Sequence, residues 1–283
     1  MTRRALLYPY IVWIIMFTVI PLLLIGYYSM RATIDGEYVL TLANFARIFE
    51  STPEGVYIFL GVVWRSVELA GICTVICFIL GYPVGYILAG KEFDARNTLI
   101  FLFIIPMWMN VLLRTYAWMT ILENNGLINT FLEFLGLPKQ NLIYTDGAVV
   151  LGMVYNFIPF MILPIYTILK RMDHSVIEAA QDLGANKIRV FLRIVFPLSL
   201  PGVISGVTMV FMPAVTTFII SNLLGGGQFM LIGNLIEQQF LRAGGDWGFG
   251  SAIATILMLV ILISIAVFSL VDKDSEGRGG LFR

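Results

Sequence analysis

Six long runs of apolar residues constrain this chain more than any other feature. A membrane span needs roughly 20 mainly apolar residues, and a helix satisfies its own backbone polar groups within lipid. The 283 residues are 59% hydrophobic and only 13% charged, with a mean hydropathy of +0.88. We therefore predict an all-α bundle of six transmembrane helices that forms one domain over residues 1–283. The spans are predicted at about residues 6–28, 62–88, 98–122, 148–169, 198–223 and 249–271.

The distribution of Lys and Arg predicts how this bundle is oriented. Six spans place both termini on one side, together with the loop at residues 170–197. That side carries twelve of the 18 Lys and Arg residues, and the opposite side carries four. Because cytoplasmic loops carry an excess of Lys and Arg, we predict cytoplasmic termini and a multi-pass protein of the bacterial plasma membrane.

The outer side is acidic, with nine Asp and Glu residues against the four bases. Such a face would attract cations or a basic patch on a partner. The alternative is that Lys and Arg are scarce on the outer side only because this scarcity sets the orientation of the protein. The excess of acids would then have no role in binding. Both interpretations stay open.

The loop at residues 170–197 is a polar segment between two apolar runs. Ser175 and Glu178 have the spacing of a capping box, and Gly184 suits the left-handed position that ends a helix. A helix of about two turns is therefore predicted at Val176–Leu183. A helix this short is marginal in water, so we expect it to pack against its own bundle or to dock on a soluble partner.

A second amphipathic pattern follows this short helix. Ile188, Phe191, Leu192 and Val195 recur at helical spacing, as they would on a helix with one apolar face. Pro197 then marks the predicted entry to the fifth span. The segment is thus predicted to be a helix–turn–helix along the inner membrane surface.

This loop resembles the signature loop of permease subunits of ATP-binding-cassette importers. The family's spacing is matched by Glu178–Ala180, Gly184, Ile194 and Pro197. The family usually has Leu in place of Phe196. The resemblance implies a type I importer permease fold, in which the short helix enters a cleft of a cytoplasmic ATPase dimer that binds ATP and Mg. The residues predicted to couple to the ATPase are Ser175, Glu178, Ala179, Ala180, Asp182, Gly184, Ile194 and Pro197.

The resemblance extends over nearly the whole chain to the first permease subunits of spermidine/putrescine importers. It implies a second homologous permease subunit and an extracellular or periplasmic polyamine-binding protein, with no cofactor on this chain and no nucleic acid. Asn222 departs by standing where similar proteins have an acid, which leaves the cation preference open. The resemblance is carried by residues 106–116, 159–166, 178–185, 231–234 and 246–250.

One carboxylate lies inside a predicted span. Intramembrane acids are functional candidates by default, but Glu68 has Arg65 one turn away and Arg114 at a similar predicted depth. We favour a structural ion pair of Glu68 with one of these arginines. Contact of Glu68 with substrate is the alternative.

A polyamine is a chain of ammonium groups separated by methylenes, so acids and aromatic faces would suit it. Most aromatic residues in spans pack or lie at the interface, and Asn side chains bridge helices equally well. Both interpretations stay open for each candidate. The candidates for the substrate path are Trp108, Asn110, Tyr116, Tyr155, Phe211, Asn222 and Asp246.

Other functional classes fit the sequence less well. An enzyme would show converging His, Asp or Ser groups, so we predict no catalytic residue, and His174 has no second His or nearby Cys for a metal site. An ion-driven carrier would show more intramembrane acids and an internal repeat. The leading prediction is a permease subunit for polyamines. The alternative is the same kind of subunit for another organic cation, an amino acid or a metal complex.

Overall fold

The computed structural model describes residues 8–34, 37–50, 58–90 and 96–279, and these are mainly helical. The chain divides into two compact units. The first combines Met1–Val63 with Ile232–Ser264, and the second combines Trp64–Leu231 with Ile265–Arg283. The prediction of one domain over residues 1–283 stays a prediction.

The elements follow one another as helices, apart from one short hairpin. Up to residue 134 they are α1 (Tyr8–Ile14), α2 (Ile20–Ser29), β1 (Arg31–Ile34), β2 (Glu37–Leu40), α3 (Ala43–Arg47), α4 (Ile58–Ala89), α5 (Arg96–Trp108), α6 (Val111–Leu122) and α7 (Leu127–Phe134). From residue 146 they are α8 (Asp146–Arg171), α9 (His174–Asp182), α10 (Lys187–Val190), α11 (Phe196–Thr216), α12 (Ile219–Leu224), α13 (Ile232–Leu241) and α14 (Trp247–Gly279).

The helices agree with the predicted all-α membrane fold. Among the described residues, one pair of helices is together long and apolar enough to cross a membrane but is bent in the middle. Helix α14 begins with the shorter apolar stretch Trp247–Ile263. Each of the six predicted spans thus falls on a helix or a pair of helices. Within the same described ranges, the stretches long and apolar enough to cross a membrane unbroken are Tyr8–Ser29, Phe59–Ala89, Asp146–Arg171 and Lys187–Thr216.

The third predicted span, residues 98–122, is broken. Leu99–Trp108 and Val111–Phe134 meet at an angle of 99°. Pro106 weakens the end of α5 because proline removes a helical hydrogen bond, and Asn110 starts α6 by accepting the Leu112 N–H at 2.8 Å. Pro106 and the Asn110 cap together therefore break the predicted straight span into two helices.

The helix at the fifth predicted span, 198–223, begins and ends earlier than that span. The helix runs over Lys187–Thr216, and α12 forms a separate short helix after it. A π-helical turn at Phe191–Val195, closed by the Phe196 N–H on the Phe191 carbonyl, precedes Pro197. Proline lacks an N–H and crowds the preceding turn, and the wider turn accommodates it. Pro197 therefore lies within the helix.

Helix α8 is central to the second unit and packs closely against α11. A Cβ atom on Gly206 would lie 2.8 Å from the Met161 sulfur, and one on Gly202 would lie 3.0 Å from the Pro164 carbonyl oxygen. Small residues let helices in membranes approach closely. The two glycines thus allow α11 to contact the backbone of α8, beside the buried Ile165.

The first unit is organised around the β1–β2 hairpin. Arg31 pairs with Leu40 and Ala32 with Val39 in an antiparallel register. The buried Asn44 amide of α3 donates to the carbonyls of Ser29, at 3.1 Å, and Arg31, at 2.9 Å. One side chain thereby ties α3 to the base of the hairpin.

Candidate functional site

The short helix predicted at Val176–Leu183 is present as α9. Its N-cap is Asp173, whose carboxylate accepts the Ser175 N–H at 2.9 Å. The prediction that Ser175 caps the helix is wrong, because Ser175 already lies inside the first turn. An aspartate caps a helix as well as a serine does, and its negative charge is favourable at the helix N-terminus. Asp173 was therefore the residue in the sequence that indicated the cap.

Gly184 ends α9 in the way the sequence predicts. Its φ of +81° is left-handed, and the N–H groups of Gly184 and Ala185 donate to the carbonyls of Gln181 and Ala180 at 2.8 and 3.1 Å. These two bonds form a Schellman motif, which satisfies the last carbonyls of a helix. Asn186 then caps α10 by accepting the Arg189 N–H at 2.8 Å, so the chain reverses within a few residues.

Helix α9 is mostly exposed, and its Ile177 and Ala180 pack partly against the core. All nine of its residues are described, and none is buried. Leu183, directly after it, is 89% exposed. Of the predicted coupling residues, Ala180 and Ile194 are partly buried, and those that are exposed are Ser175, Glu178, Ala179, Asp182, Gly184 and Pro197.

The amphipathic stripe after α9 does not form a separate surface helix. Val195 is buried and Phe191 is partly buried, whereas Ile188 and Leu192 are exposed. The stripe divides in this way because α10 continues through the π turn into α11. The predicted second surface helix is therefore the first part of the fifth span.

A cavity of about 440 Å³ lies beneath α9. Its walls include Tyr86 of α4, Met172 after α8, and Ile177 and Glu178 of α9. A helix of this length needs packing to be stable, and the cavity shows that its own bundle supplies only part of that packing.

Arg65 lies at the centre of an ion-pair network in the second unit. It donates to Glu68 at 2.9 Å, as the sequence predicts, and also to Asp146. Its guanidinium carbon lies 5.9 Å from the centre of the Phe229 ring. The sequence shows Asp146 only as one of the outer acids, so its contact with Arg65 was not predicted. Its position after Thr145, the N-cap of α8, shows that it begins a helix, but no sequence signal places it beside Arg65.

Arg114, the other predicted partner of Glu68, forms no ion pair with Glu68 among the described side chains. The Nε and Nη1 atoms of Arg114 are buried without a hydrogen-bond partner among the described residues. The predicted depth of Arg114 assumed a straight third span, and the break before α6 removes that assumption.

Three substrate-path candidates lie on helices that pack together. Helix α6, with Tyr116, packs against α8, with Tyr155, and against α12, with Asn222. Tyr155 also makes an edge-on contact with Trp118 at 5.5 Å between ring centres. Tyr116 and Tyr155 are exposed and Asn222 is half-buried, so this group combines aromatic faces with one amide.

The remaining candidates in the second unit are more scattered. Trp108 ends α5 and is 86% exposed, and Phe211 is half-buried on α11. Asn110 has a structural task, since its oxygen caps α6. Trp108 and Asn110 thus flank the break in the third span.

Asp246 belongs to the first unit. Its carboxylate pairs with Arg47 at 2.5 Å and accepts the Phe249 N–H at 3.0 Å. Desolvation acts to raise the pKa of Asp246, but the hydrogen bonds from Arg47, Phe249 and Gly248 outweigh it and hold that pKa below its ordinary value. Asp246 is therefore an internally paired anion.

Comparisons with known proteins agree with this geometry. The PotB permease protein of the spermidine/putrescine transport system of Escherichia coli K12 is 36% identical over 261 residues, which cover 90% of this chain and 92% of that protein. The PotB protein of Haemophilus influenzae is 36% identical over 267 residues, covering 92% and 91%.

A solved structure shows the same fold at much lower identity. It is a bacterial ABC transporter involved in the import of the acidic polysaccharide alginate, with a TM-score of 0.78 and 16% identity, covering 96% of this chain and 94% of that one. The family model described as binding-protein-dependent transport system inner membrane component matches residues 81–275. This chain therefore belongs to the family of binding-protein-dependent transport system inner membrane components.

Proposed function

We propose that this chain is a permease subunit of an ATP-driven importer that moves polyamines into the cytoplasm. The exposed helix α9, closed by Gly184 and joined to the fifth span, is the observation that carries the transport mechanism. The names of the PotB relatives support spermidine and putrescine as the class of cargo.

The ATPase is a separate partner in this proposal. ATP and Mg bind to a cytoplasmic ATPase dimer, and α9 docks into it through its exposed face and Leu183. No residue of this chain performs covalent chemistry. ATP-driven closure shifts the permease between two states only if the closed dimer binds one of them better, and α9 is where that difference in binding free energy would enter.

The connection between α9 and the bundle suits such a lever. Lys187–Thr216 is one helix without a loop, so a displacement at Asn186 reaches α11 directly. Tyr82 of α4 and Ser199 of α11 are joined by a 2.8 Å hydrogen bond between their hydroxyls. Motion of α9 would thus be passed to α11 and from there to α4 and α8.

The cargo path in this proposal uses aromatic faces and few acids. Tyr116, Tyr155 and Asn222 lie on mutually packed helices, and ammonium groups bind favourably over aromatic rings. A second homologous permease subunit would supply the rest of the path. An external polyamine-binding protein would deliver the cargo, and the excess of Lys and Arg supports cytoplasmic termini.

The test is ATP-dependent uptake of labelled spermidine into liposomes that contain this chain with its copurified partners. Unlabelled putrescine, arginine and choline serve as competitors. We expect competition by putrescine alone. ATP hydrolysis without spermidine uptake would leave the role of α9 intact and would overturn the cargo in favour of another one.

A further inference from the structure

The first unit contains a cavity of about 870 Å³ that no part of the proposed transport mechanism uses. The end of α2, the hairpin, α3 and the segment Gly244–Gly248 form its walls. These segments follow the first span and precede the sixth. By the count of predicted spans, they belong to the outer segments of the chain.

The walls of this cavity are held by specific contacts. Asn44 binds the backbone carbonyls of Ser29 and Arg31. A Cβ atom on Gly248 would lie 2.7 Å from both the Arg31 carbonyl oxygen and the Asn44 amide nitrogen. Only glycine therefore fits where the start of α14 meets the hairpin, and the cavity has a defined shape before anything binds.

The charges that line the cavity are mainly positive. Arg47 is paired with Asp246. The guanidinium carbon of Arg31 lies 3.4 Å from the centre of the Tyr38 ring and 5.8 Å from that of Tyr28, and no ion pair joins Arg31 to a carboxylate among the described side chains. Among the described residues that line the cavity, two arginines stand against one aspartate, whereas the outer segments together carry more acids than bases.

The face of the Arg31 guanidinium lies against the Tyr38 ring. A ring covers the face of a guanidinium, whereas the N–H donors lie in its plane and match a carboxylate in a bidentate arrangement. The Nε atom of Arg31 is buried and has no hydrogen-bond partner among the described residues. A cationic cargo would be repelled here, so the cavity suits an acidic group.

We propose that this cavity receives a carboxylate side chain of the external binding protein, with Arg31 as its main ligand. The inference rests on the proposed function, because it takes the delivering protein to be a partner of this permease. A binding protein also belongs to the description of the family. Charge complementarity selects an Asp or Glu on the surface of that protein, and the Arg47–Asp246 pair forms the edge of the site.

The experiment uses the whole complex in nanodiscs and measures ATP hydrolysis as a function of the concentration of the spermidine-loaded binding protein. Arg31→Gln should raise the half-saturating concentration by about 10- to 100-fold, the range for a lost charge-assisted bond. The maximal rate and the basal rate without binding protein should not change. Arg242→Gln, which removes an outer base that does not line the cavity, is the matched control.

Three results would overturn the proposal. The first is an unchanged half-saturating concentration in Arg31→Gln. The second is an equal rise in Arg242→Gln, since that would indicate general electrostatic attraction. The third is a change in basal hydrolysis that appears only in nanodiscs with anionic lipid, since a lipid headgroup would then be the ligand.

Two further measurements keep the inference separate from folding and from cargo. Arg31→Lys should fold equally well and give an intermediate shift, because it keeps the charge and loses the bidentate geometry. If the binding protein stimulates hydrolysis but no spermidine is imported, the cargo assignment fails while the Arg31 comparison still decides the docking site. If the binding protein does not stimulate the wild-type complex, both proposals are wrong.

Discussion

The two ends of helix α4 have different surroundings: charged side chains of the same chain pair with one another at one end, and a mostly exposed helix lies at the other. At its start, Arg65 is bound by Glu68 and Asp146, so one cation and two carboxylates of the same chain satisfy one another. Near its other end, Tyr86 lines the cavity beneath α9, whose side chains are not buried. Internal pairing holds helices together, whereas an exposed capped helix offers its surface to another protein. The difference predicts which substitutions lower stability and which prevent transport.

The largest effect is expected at the end of α4 beside α9. Gly184→Pro cannot adopt the left-handed φ of +81°, and Glu178→Lys reverses a charge on the proposed docking surface. Uptake should fall by about tenfold or more, which corresponds to a loss of about 1.4 kcal/mol of coupling energy. Uptake and ATP hydrolysis measured in the same vesicles check this.

Gly184→Asn is the matched control, because asparagine tolerates the left-handed region and no atom lies within 4 Å of a Cβ atom at this position. It should transport at close to the wild-type rate. Normal uptake by Gly184→Pro or by Glu178→Lys would contradict the coupling role of α9.

A smaller effect, on stability alone, is expected at the Arg65 end. The double-mutant cycle of Arg65→Gln and Asp146→Asn should give a coupling free energy of about 1 kcal/mol or less, since both side chains are partly exposed. Thermal unfolding in detergent measures it, and uptake should be retained. If Asp146→Asn abolished uptake without loss of stability, Asp146 would belong to the cargo path and the contrast between the two ends would fail.

The cap of α9 tests how the exposed helix is held. Asp173→Ala should destabilise α9 by about 1 kcal/mol, whereas Ser175→Ala should change it little, because Asp173 is the residue that caps the first turn. Amide hydrogen exchange over residues 174–182 reports this difference, with Asp173→Asn as the variant that keeps the cap. The opposite ranking of the two alanine variants would restore the capping box that the sequence suggests.

The smallest effect is expected at Asp246, another internally paired charge. Its pKa is lowered in the folded protein, so its contribution to stability is present above the unfolded pKa of about 3.9 and is lost as the pH falls through the folded pKa. At pH 7, Asp246→Asn should lower the free energy of unfolding by less than about 1 kcal/mol, because the pair is partly exposed.

Thermal unfolding of both proteins at pH 7 and at pH values below the folded pKa checks this sign. The difference between wild type and Asp246→Asn should shrink as the pH falls. A difference that grew on acidification would mean that the carboxylate is not the stabilised form.

Local signals in the sequence predicted much of this architecture. The apolar runs predicted all six helical regions because lipid demands length and internal hydrogen bonding. Gly184 predicted the end of α9, since one left-handed residue determines that turn. Arg65 and Glu68 were predicted to meet because residues three apart share a helix face. Each of these inferences depends on neighbours within a few residues.

The misses share a different cause. Asp146 lies 81 positions from Arg65, so only the packing of α8 beside α4 brings them together. The 99° break after Met109 and the helix that continues through Pro197 depend on whether neighbouring helices stabilise a bend or a π turn. Proline signals a disturbance without deciding its form.

By itself, the sequence determined that this chain is a helical membrane protein with a short helix, ended by Gly184, between two spans, because hydropathy, helix length and the left-handed glycine are local properties. Only the tertiary structure decided which carboxylates hold Arg65, where the third span breaks and that Arg31 and Arg47 line one cavity. Those outcomes depend on side chains from distant parts of the chain meeting in space, and their energies arise only when the helices are packed.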